Sequence, residues 1–447
     1  MGIERKQIRR RALLQAAGLL AAGGAPAVAA NPARGAGNGG RPWWVKPVDH
    51  PTLGYKNGAL KRFSGNNMFA LYKELKEQRE GPGSYEAEQT ARTARFAAWM
   101  RQPKPGYSLP DRQLSEAAWT LMHTVQPGTG ILSWTRISVR TPAEMGVDRH
   151  TAPPEETANI VKAAARLFGA GLVGIAPMNE VYTILRQSNK DIVFEDVAAP
   201  AITETKFVIP RSMRWAVAIA VPMDLGLLSR VPTALGDAAT GLGYSQSAFT
   251  AGSLAEFIRG LGYQAIPSVN DTALSVPLAV DAGLGELSRL NKLVTPEFGP
   301  AVRLCKVFTD LPVACDQPVD FGLVEFCKRC KKCAEACPPR ALSFDDEPSF
   351  KTRGPWNNPG HKAWFEDSYK CFQHWQKVGD GCGICLASCP YTKGAQAWIH
   401  GVVKAAASMT PRADGLFRIM DDAFGYGRQH DPEQWWTRNP PSHSTRE

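Results

Sequence analysis

The sequence has no apolar run that is long enough to cross a bilayer. The longest stretch near the N-terminus, residues 12–22, holds about eleven residues, whereas a spanning helix needs roughly 20. Every later stretch of that length is interrupted by proline or by charge. We therefore expect the mature protein to be soluble or peripherally bound to a membrane.

The sequence also lacks a basic run with interleaved aromatic side chains, which would be typical of a nucleic-acid surface. The formal net charge is +10, but part of this excess belongs to the first 30 residues, which include Arg5, Lys6 and Arg9. We interpret the rest as a contribution to solubility. No nucleic-acid partner is expected.

The N-terminal residues have the pattern of an export signal rather than that of a folded element. A basic stretch ending in Arg9, Arg10 and Arg11 is followed by an apolar stretch and then by small residues through Ala30. This order is typical of a signal peptide, and the paired arginines predict the twin-arginine pathway. A basic amphipathic anchor is the alternative, but no polar residue recurs on one face. Residues 1–30 are therefore predicted to be the signal.

Cysteine usage is unusual for an exported chain, which would normally form disulfides. Eight of the ten cysteines lie between Cys327 and Cys389 at spacings typical of metal ligands. Because the twin-arginine pathway moves folded proteins, metal clusters can be inserted before export. The two remaining cysteines, Cys305 and Cys315, are predicted to be buried structural thiols.

The first ligand motif has the C-x2-C-x2-C-x3-C-P spacing of bacterial ferredoxins, in Cys327, Cys330, Cys333, Cys337 and Pro338. The second motif has one cysteine fewer and consists of Cys382, Cys385, Cys389 and Pro390. Cys371, upstream of this motif, is the predicted replacement. Structural zinc is the alternative, but zinc does not explain two Cys-Pro endings at matched positions.

In two-cluster ferredoxins the last cysteine of each run binds the other cluster. We therefore predict two 4Fe–4S clusters with crossed ligation. The ligands of the first are Cys327, Cys330, Cys333 and Cys389. The ligands of the second are Cys337, Cys371, Cys382 and Cys385.

The residues before the motifs predict an α+β domain. Helical patterns cover 67–80, 84–101 and 111–124, the last with Asp111 as its N-cap. From residue 130 to residue 312 helices alternate with buried strands, as in helix Glu155–Phe168, strand Leu172–Ala176, strand Trp215–Val221 and helix Leu254–Leu261. A G-x-G-x-x-G match at 169–174 follows a helix and precedes a strand, which is the reverse of a dinucleotide site, so we interpret it as a helix end.

Three segments resemble the respiratory reductive dehalogenases: Asn270–Glu286, Val302–Pro312 and Phe424–Gly427. The resemblance implies a nitroreductase-like corrinoid-binding domain followed by a bacterial ferredoxin-like double 4Fe–4S module. It implies that a corrinoid, reduced through the clusters, replaces halogen by hydrogen on an organohalide. The expected divisions are 1–30 (signal), 31–129 (N-terminal arm and helical region), 130–318 (catalytic domain), 319–395 (cluster domain) and 396–447 (C-terminal extension).

The family uses a tyrosine as proton donor, and an arginine and an asparagine support its anion. The resemblance carries these roles to Tyr244, Arg303 and Asn270. Tyrosine is a weak acid with an ordinary pKa of about 10, and a guanidinium and an amide donor both favour the phenolate. The D-x-H-x-x-G motif that ligates cobalt is absent, since Pro153 stands where glycine is required. His150 is therefore interpreted as a loop histidine, and the corrinoid as base-off.

The resemblance also implies partners and a location. These are a separate small membrane-anchor protein, electrons from the respiratory chain, the periplasmic face of the cytoplasmic membrane, and a homodimer as an open possibility. Two other functions stay open at this point. One is an epoxyqueuosine reductase, which shares both cofactors but acts on tRNA in the cytoplasm, and the other is a non-catalytic electron-transfer subunit.

Overall fold

The computed structural model describes residues 41–55, 59–63, 67–102, 104–379, 381–393, 398–409 and 414–437. The predicted signal peptide, with Arg10 and Arg11, lies outside the described residues.

Helices dominate the N-terminal region after a two-residue strand, β1 (Lys46–Pro47). Helices α1 (Asn67–Glu80) and α2 (Ser84–Arg101) match their predicted bounds, and α3 covers Leu109–Thr124. The N-cap of α3 is Ser108, whose backbone N–H donates to the Asp111 carboxylate at 2.9 Å. The prediction of Asp111 as N-cap is therefore wrong, because this carboxylate is the returning half of a capping box.

Between residues 130 and 318 the elements are, in chain order, α4 (Pro142–Met145), α5 (Pro154–Leu167), β2 (Leu172–Pro177), β3 (Arg186–Gln187), β4 (Lys190–Glu195), β5 (Ala201–Ile202), β6 (Lys206–Pro210), β7 (Trp215–Pro222), α6 (Leu225–Leu228), α7 (Ala234–Gly260), β8 (Ala265–Ser268), α8 (Ser275–Asp281), β9 (Glu286–Leu287), β10 (Leu293–Val294) and β11 (Val302–Thr309). Helix α5 and strands β2 and β7 agree closely with prediction. The predicted helix at Leu254–Leu261 is only the end of α7, which begins twenty residues earlier at Ala234.

The central sheet is antiparallel in the order β2-β7-β11-β8. Alternate residues of β7 enter two different apolar cores, since Val217 and Ile219 pack with α7 whereas Ala218 and Ala220 pack with α8. Both faces are thus covered, which explains why β7 reads as a nearly continuous apolar run. A smaller sheet, β3-β4-β6-β5, lies beside this one.

The cysteine-bearing region follows as β12 (Val319–Asp320), α9 (Leu323–Cys330), α10 (Lys332–Ala336), α11 (Ser368–Val378), α12 (Ile384–Ser388), α13 (Trp398–Met409), α14 (Asp414–Ala423) and α15 (Gln434–Thr437). Strand β1 pairs with β12, and Trp44 packs edge-on against Phe321. Asp421 of α14 accepts from Lys332 at 2.6 Å. The arm and the C-terminal extension therefore both pack against the cluster region. Within the described residues no helix combines the length and apolarity that crossing a bilayer requires.

Candidate redox and proton-transfer site

The structure brings the first predicted ligand set together. Cys327, Cys330, Cys333 and Cys389 line one cavity between α9, α10 and α12. Lys331, in the left-handed conformation at φ 49°, breaks α9 from α10 and turns the third thiol toward the first two. Cys389 follows the last residue of α12 and reaches the cavity in an extended backbone conformation. The proline after it, Pro390, favours that conformation.

The second set, Cys337, Cys371, Cys382 and Cys385, also converges. Burial first, and then the neighbouring thiolates of Cys385 and Cys337, raise the pKa of Cys382 to about 12. Burial likewise raises the pKa of Cys371, and the charges of Cys385 and Cys382 contribute to that rise. Cys371 projects from α11 toward Cys382 and Cys385, which is the position that its predicted role as the replacement ligand requires.

Both thiol sets fit 4Fe–4S clusters. Burial is the largest cause that raises the pKa values of Cys330, Cys333 and Cys389, and such thiols form thiolates when a bound cation compensates their charge. The first set surrounds a cavity, as a cubane requires. Among the described residues no three His, Cys, Asp or Glu side chains form the ligand group of a single metal ion.

Basic residues from one loop accompany the two thiol sets. Arg289 is buried and donates to the Cys327 carbonyl from Nε at 2.9 Å and from Nη2 at 2.8 Å, beside the first set. Lys292 lies near Cys371 and Cys385, but Glu366 pairs with it at 2.6 Å. The first thiol set therefore faces a cation that binds backbone carbonyls, and the second faces a neutralised pair.

The three predicted catalytic residues meet at one edge of the central sheet. Tyr244 projects from α7, Asn270 follows β8, and Arg303 lies on β11. The Asn270 amide donates to the Tyr244 hydroxyl at 2.9 Å, and Arg303 Cζ lies 4.9 Å from the centre of the tyrosine ring. The predicted grouping of Tyr244, Asn270 and Arg303 is therefore present in the geometry.

Two glycines on α7 allow this close packing around Tyr244. A Cβ on Gly243 would lie 2.8 Å from Arg303 Cγ, and one on Gly241 would lie 2.5 Å from Trp119 Cδ1. The Trp119 ring stacks on the Tyr244 ring, with centroids 5.4 Å apart and planes 27° apart. The tyrosine is thus held between an indole and a guanidinium.

Asp237 connects this site to the second thiol set. Its Oδ2 accepts from Trp119 Nε1 at 2.9 Å, and its Oδ1 accepts from the Gly381 N–H at 3.3 Å. Gly381 directly precedes Cys382, and Asp237 lies seven residues before Tyr244 on the same helix. That separation corresponds to roughly 10 Å along an α-helix. The backbone next to Cys382 of the second thiol set therefore contacts the helix that bears the tyrosine.

The sequence missed four residues of this region: Trp119, Asp237, Arg289 and Lys306. Lys306 offered a signal, because it interrupts an apolar strand only three residues after Arg303. The others carry no local signal, since their partners lie far away in the sequence. Of the two leftover cysteines, Cys305 is buried as predicted, whereas Cys315 is exposed, so the prediction of a buried Cys315 is wrong.

For a corrinoid, the fit rests on one unsatisfied buried nitrogen and one exposed amide at this edge. Arg303 Nε is buried and has no hydrogen-bond partner within the described part of the chain. The Asn270 side chain is exposed at the end of an otherwise buried strand, beside the half-buried Tyr244. These groups fit a large polar-edged group over the sheet edge, and the structure assigns no further residue to it.

Two sets of ligand-spaced thiols beside a hydrogen-bonded tyrosine define an iron–sulfur oxidoreductase. The chain matches the model of a 4Fe–4S double cluster binding domain over residues 326–392 and that of a reductive dehalogenase subunit over residues 184–313. The tetrachloroethene reductive dehalogenase of Sulfurospirillum multivorans is 37% identical over 362 residues, which are 75% of this chain and 72% of that protein. The chain belongs to the reductive dehalogenase family.

Solved structures agree in fold. A catabolic reductive dehalogenase, NpRdhA, aligns with a TM-score of 0.65 and 25% identity over 86% of this chain. Another reductive dehalogenase structure, described as suggesting a mechanism for B12-dependent dehalogenation, aligns with a TM-score of 0.63 and 23% identity over the same share. In both cases the alignment spans 49% of the solved chain, so this chain covers about half the length of these relatives.

Proposed function

We propose that this protein replaces a halogen atom of an organohalide by hydrogen. The reaction consumes two electrons and one proton and releases a halide ion. The observation that carries the proposal is the Asn270–Tyr244 hydrogen bond, because it places a supported proton donor beside an iron–sulfur module. Family membership supports the same reaction, and the relative from Sulfurospirillum multivorans is named for tetrachloroethene.

The proposed cofactors are two 4Fe–4S clusters and a base-off corrinoid. The corrinoid would lie in a nitroreductase-like domain, and the antiparallel sheet crossed by the long helix α7 supports that description. When bound, the reduced corrinoid supplies the electrons that cleave the carbon–halogen bond. Tyr244, Asn270 and Arg303 are the residues of this chain that would face it.

The protein's own groups handle the proton. The Tyr244 hydroxyl donates it to the carbon that loses halogen, and the Asn270 amide, already donating to that oxygen, stabilises the phenolate left behind. Arg303 adds positive charge over the ring, and its Nη2 is held by the Thr240 hydroxyl at 3.2 Å. Solvent then returns a proton to the phenolate.

In the proposed route, electrons would enter through the cluster module. Gly381, which precedes Cys382 of the second thiol set, contacts α7 through Asp237, whereas the first thiol set lies against Arg289 and Leu290. The second thiol set would therefore hold the cluster that supplies electrons to the corrinoid, and the first would hold the cluster that accepts them from a donor in the respiratory chain.

The proposed location and partners rest on the sequence. The paired Arg10 and Arg11 support twin-arginine export to the periplasmic face of the cytoplasmic membrane. A separate small membrane-anchor protein would hold the enzyme there, and a homodimer is compatible with this arrangement. No nucleic-acid partner is proposed.

The test is cofactor content and halide release from anaerobically prepared protein. About eight iron atoms and one cobalt per chain are expected, together with halide release from chlorinated ethenes when an artificial donor is supplied. Cys371→Ser should lose iron from the second cluster, whereas Cys315→Ser, the matched control outside both sets, should keep full iron. Zinc in place of iron would overturn the cluster assignment, and full iron without cobalt or halide release would support an electron-transfer subunit.

A further inference from the structure

Lys306 is a buried cation next to the proton-donating site. It lies on β11 and has no exposed surface. Taking an ammonium group out of water costs several kcal/mol unless its donors are used. Its Nζ donates to the Val269 carbonyl at 2.6 Å and to the Ser275 hydroxyl at 3.0 Å. Both acceptors flank the loop that carries Asn270.

That loop is fixed from a second direction by Asp271. Its Oδ1 accepts from the Val269 N–H at 2.6 Å and from the Ser268 hydroxyl at 3.0 Å. Thr272 follows in the left-handed region at φ 60°, which is uncommon for a β-branched residue. A backbone of this kind persists only where its surroundings determine it. The hydrogen bonds of Lys306 and Asp271 hold the loop backbone in this conformation.

This fixed backbone determines the position of Asn270, which lies between Val269 and Asp271. The Asn270 amide must keep its hydrogen bond to the Tyr244 hydroxyl, 2.9 Å away, although the Asn270 side chain is exposed. An exposed amide keeps such an orientation only if its backbone is held. Lys306 holds that backbone at the preceding carbonyl.

We propose that Lys306 is a positioning residue, which fixes loop 268–272 so that the Asn270 amide stays on the Tyr244 hydroxyl. The inference rests on the proposed function of Tyr244 as proton donor. Lys306 acts through Val269 and Ser275, the residues to which its Nζ donates hydrogen bonds.

Two titratable groups lie near Lys306. The Asp271 carboxylate faces it from the loop, and Cys305, whose pKa burial raises to about 12, precedes it on the strand as a neutral thiol. Burial lowers the pKa of Lys306 to about 8, and the Asp271 carboxylate opposes that shift. The ammonium and the neutral amine both keep N–H donors, so the hydrogen bonds to Val269 and Ser275 persist across neutral pH.

The test compares Lys306→Met with Arg259→Met in the cofactor-loaded enzyme. Arg259 is a matched control, because it is also buried and donates to two backbone carbonyls, those of Ser133 and Ala265. Lys306→Met should lower kcat by up to about 100-fold with KM nearly unchanged, and should move the alkaline limb of the pH–rate profile upward. Arg259→Met should lower thermal stability and leave the shape of the profile unchanged.

A second measurement does not depend on dehalogenation. With 3-fluorotyrosine at position 244, fluorine NMR reports the pH at which this phenol ionises. Lys306→Met should raise that pH relative to the unmutated background, and Ser275→Ala, which removes one anchor but keeps the charge, should raise it less. Ser275→Ala also serves if Lys306→Met does not fold. An unchanged ionisation in both variants would overturn the positioning role, whereas absent halide release from the unmutated enzyme would overturn the proposed function instead.

Discussion

At the scale of single residues, Tyr244 is distinguished by what surrounds its ring and its hydroxyl. Trp119 covers one side of the ring, Arg303 approaches it, and the Asn270 amide occupies the oxygen. A packing tyrosine would need none of these polar groups. The combination supports the proposed role of Tyr244 as a group that releases and regains a proton.

Tyr244→Phe removes the hydroxyl and keeps the ring, so packing and both clusters should survive. Turnover should fall by roughly two to four orders of magnitude, the usual loss for a general acid. Tyr263→Phe is the matched control, because Tyr263 donates to the His150 carbonyl at 2.8 Å, outside the site. Halide release by both variants checks the prediction, and near-normal turnover of Tyr244→Phe would remove this residue from the mechanism.

Arg289 should set the potential of one cluster. Its guanidinium is buried beside the first thiol set, stacks on Trp364 at 4.7 Å and otherwise donates to backbone carbonyls such as that of Cys327. A positive charge stabilises the reduced cluster, so Arg289→Met should lower one midpoint potential by tens of millivolts, on the order expected for one charge. A redox titration followed by electron paramagnetic resonance measures this shift.

The second cluster is the internal control for Arg289→Met, because Glu366 neutralises the nearby Lys292. The midpoint potential of the second cluster should be unchanged in Arg289→Met. Arg289→Lys, which keeps the charge but loses most of the hydrogen bonds, should restore the first potential. Equal movement of both potentials would contradict a local charge effect.

At the scale of elements, the sequence predicts what is local and misses what depends on distant partners. Strands β2 and β7 were found because both of their faces are buried, which makes them apolar throughout. The first twenty residues of α7 were missed because Gly236, Gly241 and Gly243 weaken the local helix signal. Those glycines are explained only by the side chains that press against them, such as Trp119 and Arg303.

The residues of the candidate site show the same contrast between local patterns and distant partners. The spacing of the cysteines within one short stretch of chain predicts that Cys327, Cys330 and Cys333 lie together, and all three line one cavity. Lys306 could not, because its role depends on the Val269 carbonyl, which β-sheet pairing brings across from the neighbouring strand. A local sequence pattern can predict the ligands that one loop supplies. It cannot predict a residue on one strand that stabilises a loop following another strand.

Gly243→Ala tests the close packing of α7 against β11. Alanine normally stabilises a helix interior by about 1 kcal/mol relative to glycine. Here the added Cβ would lie 2.8 Å from Arg303 Cγ, so Arg303 must move off the Tyr244 ring. Turnover should fall severalfold while iron content stays unchanged.

Gly260→Ala is the matched control on the same helix, since the nearest atom to its added Cβ would be Val139 Cβ at 4.0 Å. That variant should keep full turnover and equal or higher thermal stability. If both variants keep full turnover, the approach of Arg303 to Tyr244 does not limit the reaction.

At the scale of the whole molecule, one carboxyl group joins three regions of the chain. Glu286 is buried and accepts from the Thr52 hydroxyl of the N-terminal arm at 2.7 Å. It also accepts from the backbone N–H groups of Phe321 at 2.9 Å and Leu323 at 3.3 Å, where the cluster region begins. Relative placement of the clusters and the catalytic sheet therefore depends on this group.

Glu286 should make stability depend on pH near neutrality. Burial raises its pKa from about 4.5 to about 7, and the hydrogen bonds from Phe321 and Thr52 only partly oppose the rise. A raised folded-state pKa means that the stabilising contribution is fully present below about pH 4.5 and is lost as the pH rises through about 7. A shift of this size corresponds to about 3 kcal/mol.

Glu286→Gln cannot ionise and should lose this dependence. Between pH 5.5 and 8.5 the apparent melting temperature of the unmutated protein, at one scan rate under anaerobic conditions, should fall more steeply than that of the variant. Glu256→Gln is the control, because hydrogen bonds from Ser138 and Arg259 outweigh burial and lower the pKa of Glu256. Its contribution is lost only as the pH falls below about 4.5, so this variant should run parallel to the unmutated protein. If Glu286→Gln also ran parallel, the carboxyl group would stay charged in the fold and join the three regions as an ion.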